Sequence, residues 1–255
     1  MSNILEARNM NKKVELGKGQ EIHILKDINL DIKEGEFVSV MGPSGSGKTT
    51  LLYNISGMDR ITSGSVEFNG REIDNLKEEE LAKIRLNYMG FIFQDINLLK
   101  NLSLIDNVMF PALIKKNADR NTVNLKAKKL LQMTGIEKLA DYTVTQGSGG
   151  QLQRVAICRA LINNPDIIFG DEPTGALDSK STAEIMSILA EINKNGTTVM
   201  LVTHDVKVAA KTERILFMVD GKIVAQKNMR KYDARQDDSK QREEDLLKWL
   251  VDNGF

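Results

Sequence analysis

The chain has 255 residues, enough to bury a full core, and its 41% hydrophobic and 27% charged residues are those of an ordinary globular α/β protein. Thirty-five basic residues cancel 35 acidic ones, so the basic excess of a nucleic-acid-binding domain is missing and no nucleic acid is expected as a partner. Cys158 is the only cysteine, which excludes an intrachain disulfide, and the longest apolar runs, such as Val199–Val202 and Ile215–Val219, fall far short of the roughly 20 residues of a spanning helix.

The opening MSNILEARNMNKK holds no apolar stretch of signal-peptide length. Ile22–Ile32 and Phe37–Met41 read as strands joined by a turn at Gly35. The second is a short apolar run ending at Gly42, the pattern of a buried strand entering a loop, and a helix over Thr49–Ile55 follows. Ser63–Phe68 and Arg71–Ile73 flank Asn69-Gly70, a hairpin signal because both turn positions accept positive φ. An antiparallel β region is therefore expected beside a parallel sheet. From about Asp95 to Arg159 the period turns helical, with Lys115–Leu131 rich in Lys, Leu, Ala and Asn, and the stretch reads as a helical insertion. Asp166–Gly170 and Thr197–Thr203 are further buried-strand candidates, separated by a helix over Ser181–Asn193. Ile215–Met218 and Lys222–Val224 make a late hairpin around Gly221.

The expected domain therefore spans 1–226 with its insertion at about 95–159. Residues 227–255 read as a polar linker and a C-terminal amphipathic helix, with Leu246, Trp249 and Leu250 on one face. That face is expected either to pack on its own domain or to dock on a partner. Cys158 reads as a small core residue and His23 as structural.

Gly42, Pro43, Ser44, Gly45, Ser46, Gly47, Lys48 and Thr49 satisfy the spacing G-x4-G-K-[ST]. The glycines let the backbone curl so that successive N–H groups face phosphate oxygens, together with the N-terminus of the next helix. Lys48 adds a point charge on the β- and γ-phosphates, the Thr49 hydroxyl suits Mg²⁺, and Thr50 continues the cradle. A Gly/Ser-rich turn matching by chance is the bland alternative, but a buried-strand pattern before it and a helix after it supply the context. Alone, the motif says only phosphate-binding NTPase or kinase.

Ile167–Glu172 is an apolar run ending in two acids. Asp171 at the strand end suits Mg²⁺ or its water shell beside Thr49. Glu172, next in the chain, points another way and suits polarising an attacking water. Two solvated acids at a strand end are the alternative.

Further motifs carry a family resemblance. Gly147-Ser148-Gly149-Gly150-Gln151, followed by Leu152, resembles the L-S-G-G-Q signature of the ABC ATPases. Gln94 within Phe91–Asp95 resembles their Q-loop, Ala176-Leu177-Asp178 their D-loop, and His204 within Val202–Asp205 their H-loop. These elements stand in the family's order between about Ile4 and Ala225. The resemblance implies a P-loop NTPase ABC cassette of α/β class: a RecA-like mixed sheet core, an antiparallel β subdomain and an inserted α-helical subdomain. It also implies ATP and Mg²⁺ as cofactors, and Glu172, His204 and Gln94 as catalytic residues. Thr49, Gln94 and Asp171 are the implied metal-side residues. The partners it implies are a separate membrane permease and a second copy of the chain in a head-to-tail dimer that sandwiches two ATP molecules. There Ser148, Gly149, Gly150, Gln151 and Asp178 of one copy meet nucleotide held by Lys48 of the other. The expected place is the cytoplasmic face of the membrane, reached through the permease.

Two departures from the family pattern bear on function. The adenine-stacking aromatic near the start is missing, and its position falls at about Val14. Gly147 replaces the usual signature Leu. Gly35–Thr50, Gly90–Leu99 and Asp171–Lys180 resemble the MacB/LolD/BceA branch of antimicrobial-peptide and macrolide exporters and lipoprotein releasers. That resemblance points to export of, or resistance to, antimicrobial peptides or similar compounds. A lipoprotein-releasing system and an FtsE-like cassette acting on a permease-like partner in cell division are the alternatives.

Overall fold

The computed structural model describes residues 2–17, 19–116, 118–232 and 238–254. Two sheets carry the chain. In the first, β1 (Asn3–Leu16) and β2 (Gln20–Lys33) pair as a long antiparallel hairpin, and β4 (Ser63–Phe68) and β5 (Arg71–Glu72) extend it in the order β2-β1-β4-β5. The second contains β3 (Phe37–Met41), β6 (Met89–Phe93), β7 (Ile167–Asp171), β8 (Thr198–Val202), β9 (Arg214–Val219) and β10 (Lys222–Asn228). Its order is β10-β9-β3-β8-β7-β6, parallel throughout except for the β9–β10 hairpin at one edge. The Lys26 N–H donates to the Gly221 carbonyl at 2.9 Å and ties the two sheets together.

Every residue of β3 and β8 is buried, as expected for parallel strands covered on both faces. Alternation sorts their side chains. Val38, Val40, Ile167, Phe169, Met200 and Val202 join Leu5, Leu25 and Ile28 of the first sheet and Leu51 and Ile55 of α1 (Lys48–Ile55) in one core. Phe37, Ile168, Val199 and Leu201 face the other way. There they meet Ile157 of α5 (Gly149–Leu161) and Ile185, Met186 and Leu189 of α6 (Ser179–Lys194). This is an α/β fold with a mixed sheet and a separate antiparallel sheet.

α2 (Glu78–Tyr88) precedes β6. Between β6 and β7, α3 (Leu104–Leu113) and α4 (Arg120–Met133) pack on the outer face of α5 around Leu104, Val108, Leu131 and Val155, a third core of its own. The helical reading of Lys115–Leu131 needs correction at its start. The Asp119 carboxylate accepts from the Thr122 N–H at 2.8 Å and caps a helix that begins at Arg120. The preceding helix is α3, capped by Ser103.

β10 runs two residues past the expected boundary at 226. α8 (Ser239–Asp252) buries Leu246 and Leu250 completely against Met41, Ala209, Ala210, Ile215 and Phe217. Trp249 sets its ring edge-on at 6.2 Å from Phe217. The apolar face of the tail is thus filled by its own domain, and the docking alternative does not apply to it. Part of the expected linker, residues 233–237, lies outside the described residues.

Candidate nucleotide site

β3 delivers the chain into the loop at Gly42, where φ is 153° and a Cβ would lie 2.0 Å from the Met218 carbonyl oxygen. Only glycine passes there. At Gly47 (φ 96°) the chain turns into α1, so the first N–H groups of that helix open onto the loop. Lys48 is only 9% exposed, and its ammonium donates to the carbonyls of Gly42 and Pro43, each at 2.9 Å. Burial lowers its pKa from the ordinary lysine value, while Glu172 and Asp171 pull the other way.

The Thr49 hydroxyl donates to Asp171 Oδ1 at 2.9 Å, joining the start of α1 to the end of β7. Tyr53, four residues on and therefore on the same helix face, brings its hydroxyl beside Asp171 as well. Burial pushes the Asp171 carboxyl above the usual range, Glu172 adds to this, and Thr49, Tyr53 and Lys48 oppose it. Burial, then Asp171, raises the Tyr53 phenol in turn. Tyr53 was not visible as a site residue in the sequence; its i+4 spacing from Thr49 was the available signal.

Glu172 has φ 50°, a left-handed conformation that residues with a β-carbon seldom adopt. Its N–H still donates to the Val202 carbonyl at 2.9 Å, so the chain remains tied to β8 while the side chain turns away from Asp171. There the carboxylate meets His204, with Nδ1 at 2.8 Å from Oε1. Glu172 is 18% exposed and His204 67% exposed as side chains, so the imidazole is the member of the pair open to solvent.

Gln94 follows β6, whose Phe93 pairs with Asp171. A Cβ on Gly175 would lie 3.3 Å from Gln94 Nε2 and 3.4 Å from Glu172 Oε2, so both side chains converge over that glycine. Ser44, Gly45, Gly47, Lys48, Thr49, Thr50, Gln94, Asp171, Glu172 and His204 together line one cavity of about 570 Å³, with Ile24 at its wall. Pro43 belongs to the same loop through its carbonyl on Lys48. Ser46 is buried beneath the loop.

The remaining predicted residues form a second group. Ser148 caps α5: its hydroxyl accepts from the Gln151 N–H at 3.4 Å and Gln151 Oε1 accepts from the Ser148 N–H at 2.9 Å. Asp178 caps α6, accepting from the N–H groups of Lys180 and Ser181 at 2.9 Å each. Hydrogen bonds from Ser181 hold the Asp178 carboxyl below the usual range. The two helix starts touch, since a Cβ on Gly150 would lie 2.9 Å from Ser181 Oγ and one on Gly149 would lie 3.4 Å from Leu177 Cδ2. None of Ser148, Gly149, Gly150, Gln151 or Asp178 lines the Lys48 cavity.

At Gly147 φ is −89°, open to any residue, but a Cβ would stand 2.6 Å from Leu152 Cδ2. Leu152 therefore covers the space that a side chain at 147 would enter. Val14 lies opposite Ile22 on the β1–β2 hairpin, and both are exposed, at 37% and 48%.

Hard oxygen donors suit Mg²⁺: Thr49 and Asp171 are in contact, and Gln94 shares their cavity. Among the described residues no group of three or more His, Cys, Asp or Glu is arranged to hold a metal alone.

Residues 25–175 match the family described as ABC transporter. The uncharacterized ABC transporter ATP-binding protein MJ0796 of Methanocaldococcus jannaschii is 43% identical over 238 residues, which cover 91% of this chain and 100% of that one. The bacitracin export ATP-binding protein BceA of Halalkalibacterium halodurans is 43% identical over 226 residues, 88% of each chain. Among solved structures, a dimeric post-hydrolysis state of the MJ0796 cassette bound to ADP and Pi superposes with a TM-score of 0.83 at 42% identity, covering 89% of this chain and 100% of that one.

Proposed function

The chain belongs to the ABC transporter family, and on that premise we propose that it hydrolyses ATP to drive a separate membrane permease in the export of antimicrobial peptides or similar compounds. The single observation that carries the chemistry is the convergence of Lys48, the Thr49–Asp171 contact, the Glu172–His204 pair and Gln94 on one cavity.

Within that cavity the loop N–H groups and Lys48 hold the β- and γ-phosphates. Magnesium, when bound with the nucleotide, neutralises charge on the β- and γ-oxygens, and Thr49, Asp171 and Gln94 are the residues that would face it. Glu172 accepts a proton from a water as that water attacks the γ-phosphorus, and the bond from phosphorus to the leaving ADP oxygen breaks. His204, hydrogen-bonded to the Glu172 carboxylate, keeps that carboxylate in its working orientation and offers its exposed face to the transferred phosphoryl group.

Ser148, Gly149, Gly150, Gln151 and Asp178 act on the nucleotide of a second copy. Their separation from the Lys48 cavity supports that reading, as does the dimeric state of the solved relative. Two small glycines and a Ser-capped helix start are suited to approach a γ-phosphate closely. Closure on ATP and release after hydrolysis would then move the permease. No helix among the described residues is long and apolar enough to cross a membrane; in this reading the permease supplies the span and this chain sits on the cytoplasmic face. The likeness to a bacitracin export protein supports a peptide antibiotic as the exported class.

Glu172→Gln tests the assignment. Turnover should fall at least about 100-fold, the scale of a lost general base. ATP binding should persist, and the variant should elute as a dimer only in ATP. Undiminished hydrolysis overturns the role of Glu172. Isolation of the chain without any membrane subunit, from cells in which it is active, overturns the transport role.

A further inference from the structure

The C-terminal helix reaches the catalytic region through one buried charge. Arg242, near the start of α8, is 4% exposed. Its Nε donates to the Ala210 carbonyl at 2.7 Å, Nη2 to the Thr212 carbonyl at 3.0 Å and Nη1 to the Arg230 carbonyl at 2.8 Å. Two of these three acceptors close the turn that follows His204.

That turn is short. α7 (Val206–Ala209) is four residues long and begins at its cap Asp205 next to His204; its Val206, Val208 and Ala209 carbonyls accept from the N–H groups of Ala210, Lys211 and Thr212, and Arg242 takes two carbonyls just beyond it, those of Ala210 and Thr212. A guanidinium presents several N–H donors in one rigid plane, which suits converging carbonyls better than an ammonium does. The α8 residues Leu246 and Leu250 pack on Ala209 and Ala210, and also on Met41, the last residue before the phosphate loop. Glu172, His204 and Glu243 of α8 line one cavity of about 370 Å³, so the tail forms part of the wall of a space that the catalytic pair also lines.

We infer that Arg242 is a positioning residue for hydrolysis: by holding the turn after His204 from α8, it fixes the imidazole on the Glu172 carboxylate. This rests on the catalytic reading of His204 and Glu172 given above. Arg242 touches no substrate and does not line the cavity that holds Lys48. Its loss should therefore lower kcat and leave the KM for ATP alone.

The test is steady-state ATP hydrolysis by the full-length chain carrying Arg242→Gln, beside His204→Ala and Leu250→Ala. Arg242→Gln is expected to lose about tenfold in kcat with KM within twofold of the unaltered chain. Leu250→Ala loosens α8 but keeps the guanidinium contacts, and should lower the melting temperature without a matching loss of kcat. If Arg242→Gln does not fold, Arg242→Lys replaces it, with about a threefold loss of kcat at constant KM expected, because an ammonium cannot span the three carbonyls. A folded Arg242 variant with full kcat overturns the inference. So does a Leu250→Ala variant that loses kcat as much as Arg242→Gln does, which would reduce Arg242 to a stability role. His204→Ala separates the two levels: if it keeps full turnover, the reading of the site itself has failed, whatever Arg242 does.

Discussion

Asp171 illustrates how single residues here are held at a cost to the fold. Burial raises its pKa above that of the unfolded chain, so the native state binds this proton more tightly. The stabilising contribution is complete below the unfolded aspartate value of about 3.9 and is lost as pH rises through the raised folded value. Above that value the ionised carboxylate is a net burden that the neighbouring Lys48 only partly offsets. Asp171→Asn keeps an oxygen for Thr49 and Tyr53 and removes the charge. It should raise nucleotide-free stability at pH 7, by ~1 kcal/mol or less after screening by solvent, and with it the melting temperature, flatten the fall in stability above about pH 4, and abolish turnover. A variant less stable than the original at pH 7 would sink this account. Cys158 shows the opposite case, a residue with no chemistry to do. Burial pushes its thiol up to about 12 and Thr134 Oγ1 lies 3.2 Å from its sulfur, so it should resist thiol reagents until the chain unfolds. Labelling at the native rate of an exposed cysteine would contradict that. Residues whose chemistry is written in spacing, such as Lys48 or Asp171, are legible from the order of amino acids alone. Tyr53 is not, because only the fold reveals which acid its hydroxyl meets.

At the level of elements, the hairpin of β1 and β2 departs most from what the sequence announces. β1 escapes sequence reading because its alternation is broken: Asn9 takes φ 45°, and its pairing with β2 shifts register between Ala7 and Met10 and again between Met10 and Lys13. β6 escapes because its MGFIF run merges with the loop motif that follows. By contrast, Asn69 and Gly70 at φ 50° and 72° form the predicted turn, since the dipeptide itself selects that conformation. The β1–β2 hairpin carries Val14 and Ile22, an exposed aliphatic pair where the family resemblance expects an aromatic, while Ile24 of β2 walls the phosphate cavity. If the base lies along this strand pair, Val14→Tyr restores a stacking surface worth ~1–3 kcal/mol. ATP affinity, measured by titration in a Glu172→Gln background, should tighten about tenfold, which corresponds to ~1.4 kcal/mol. Unchanged affinity would mean that the hairpin does not meet the base.

For the whole molecule, the decisive fact is that the two sets of groups proposed to face phosphate do not share a cavity. Lys48, Glu172 and His204 converge on one, while Ser148 and Asp178 start two helices elsewhere. In the proposed reading a single chain is half of each site, and two copies related by a two-fold axis complete both. Such an arrangement makes a prediction about mixtures that no intrachain site can make. In a Glu172→Gln background, Lys48→Ala disables the loop and Ser148→Arg disables the signature. Either chain alone has no intact pairing of loop and signature, and should stay monomeric in ATP. Mixed one to one, the Ser148→Arg chain contributes its intact loop and the Lys48→Ala chain its intact Ser148. About half of the statistical pairs are then mixed, each with one complete site, and dimer should reappear on size exclusion only when both chains and ATP are present. Failure of the mixture, with each chain separately shown to be folded, would mean that loop and signature never meet across copies. The α5 and α6 helix starts would then have to serve some contact other than nucleotide.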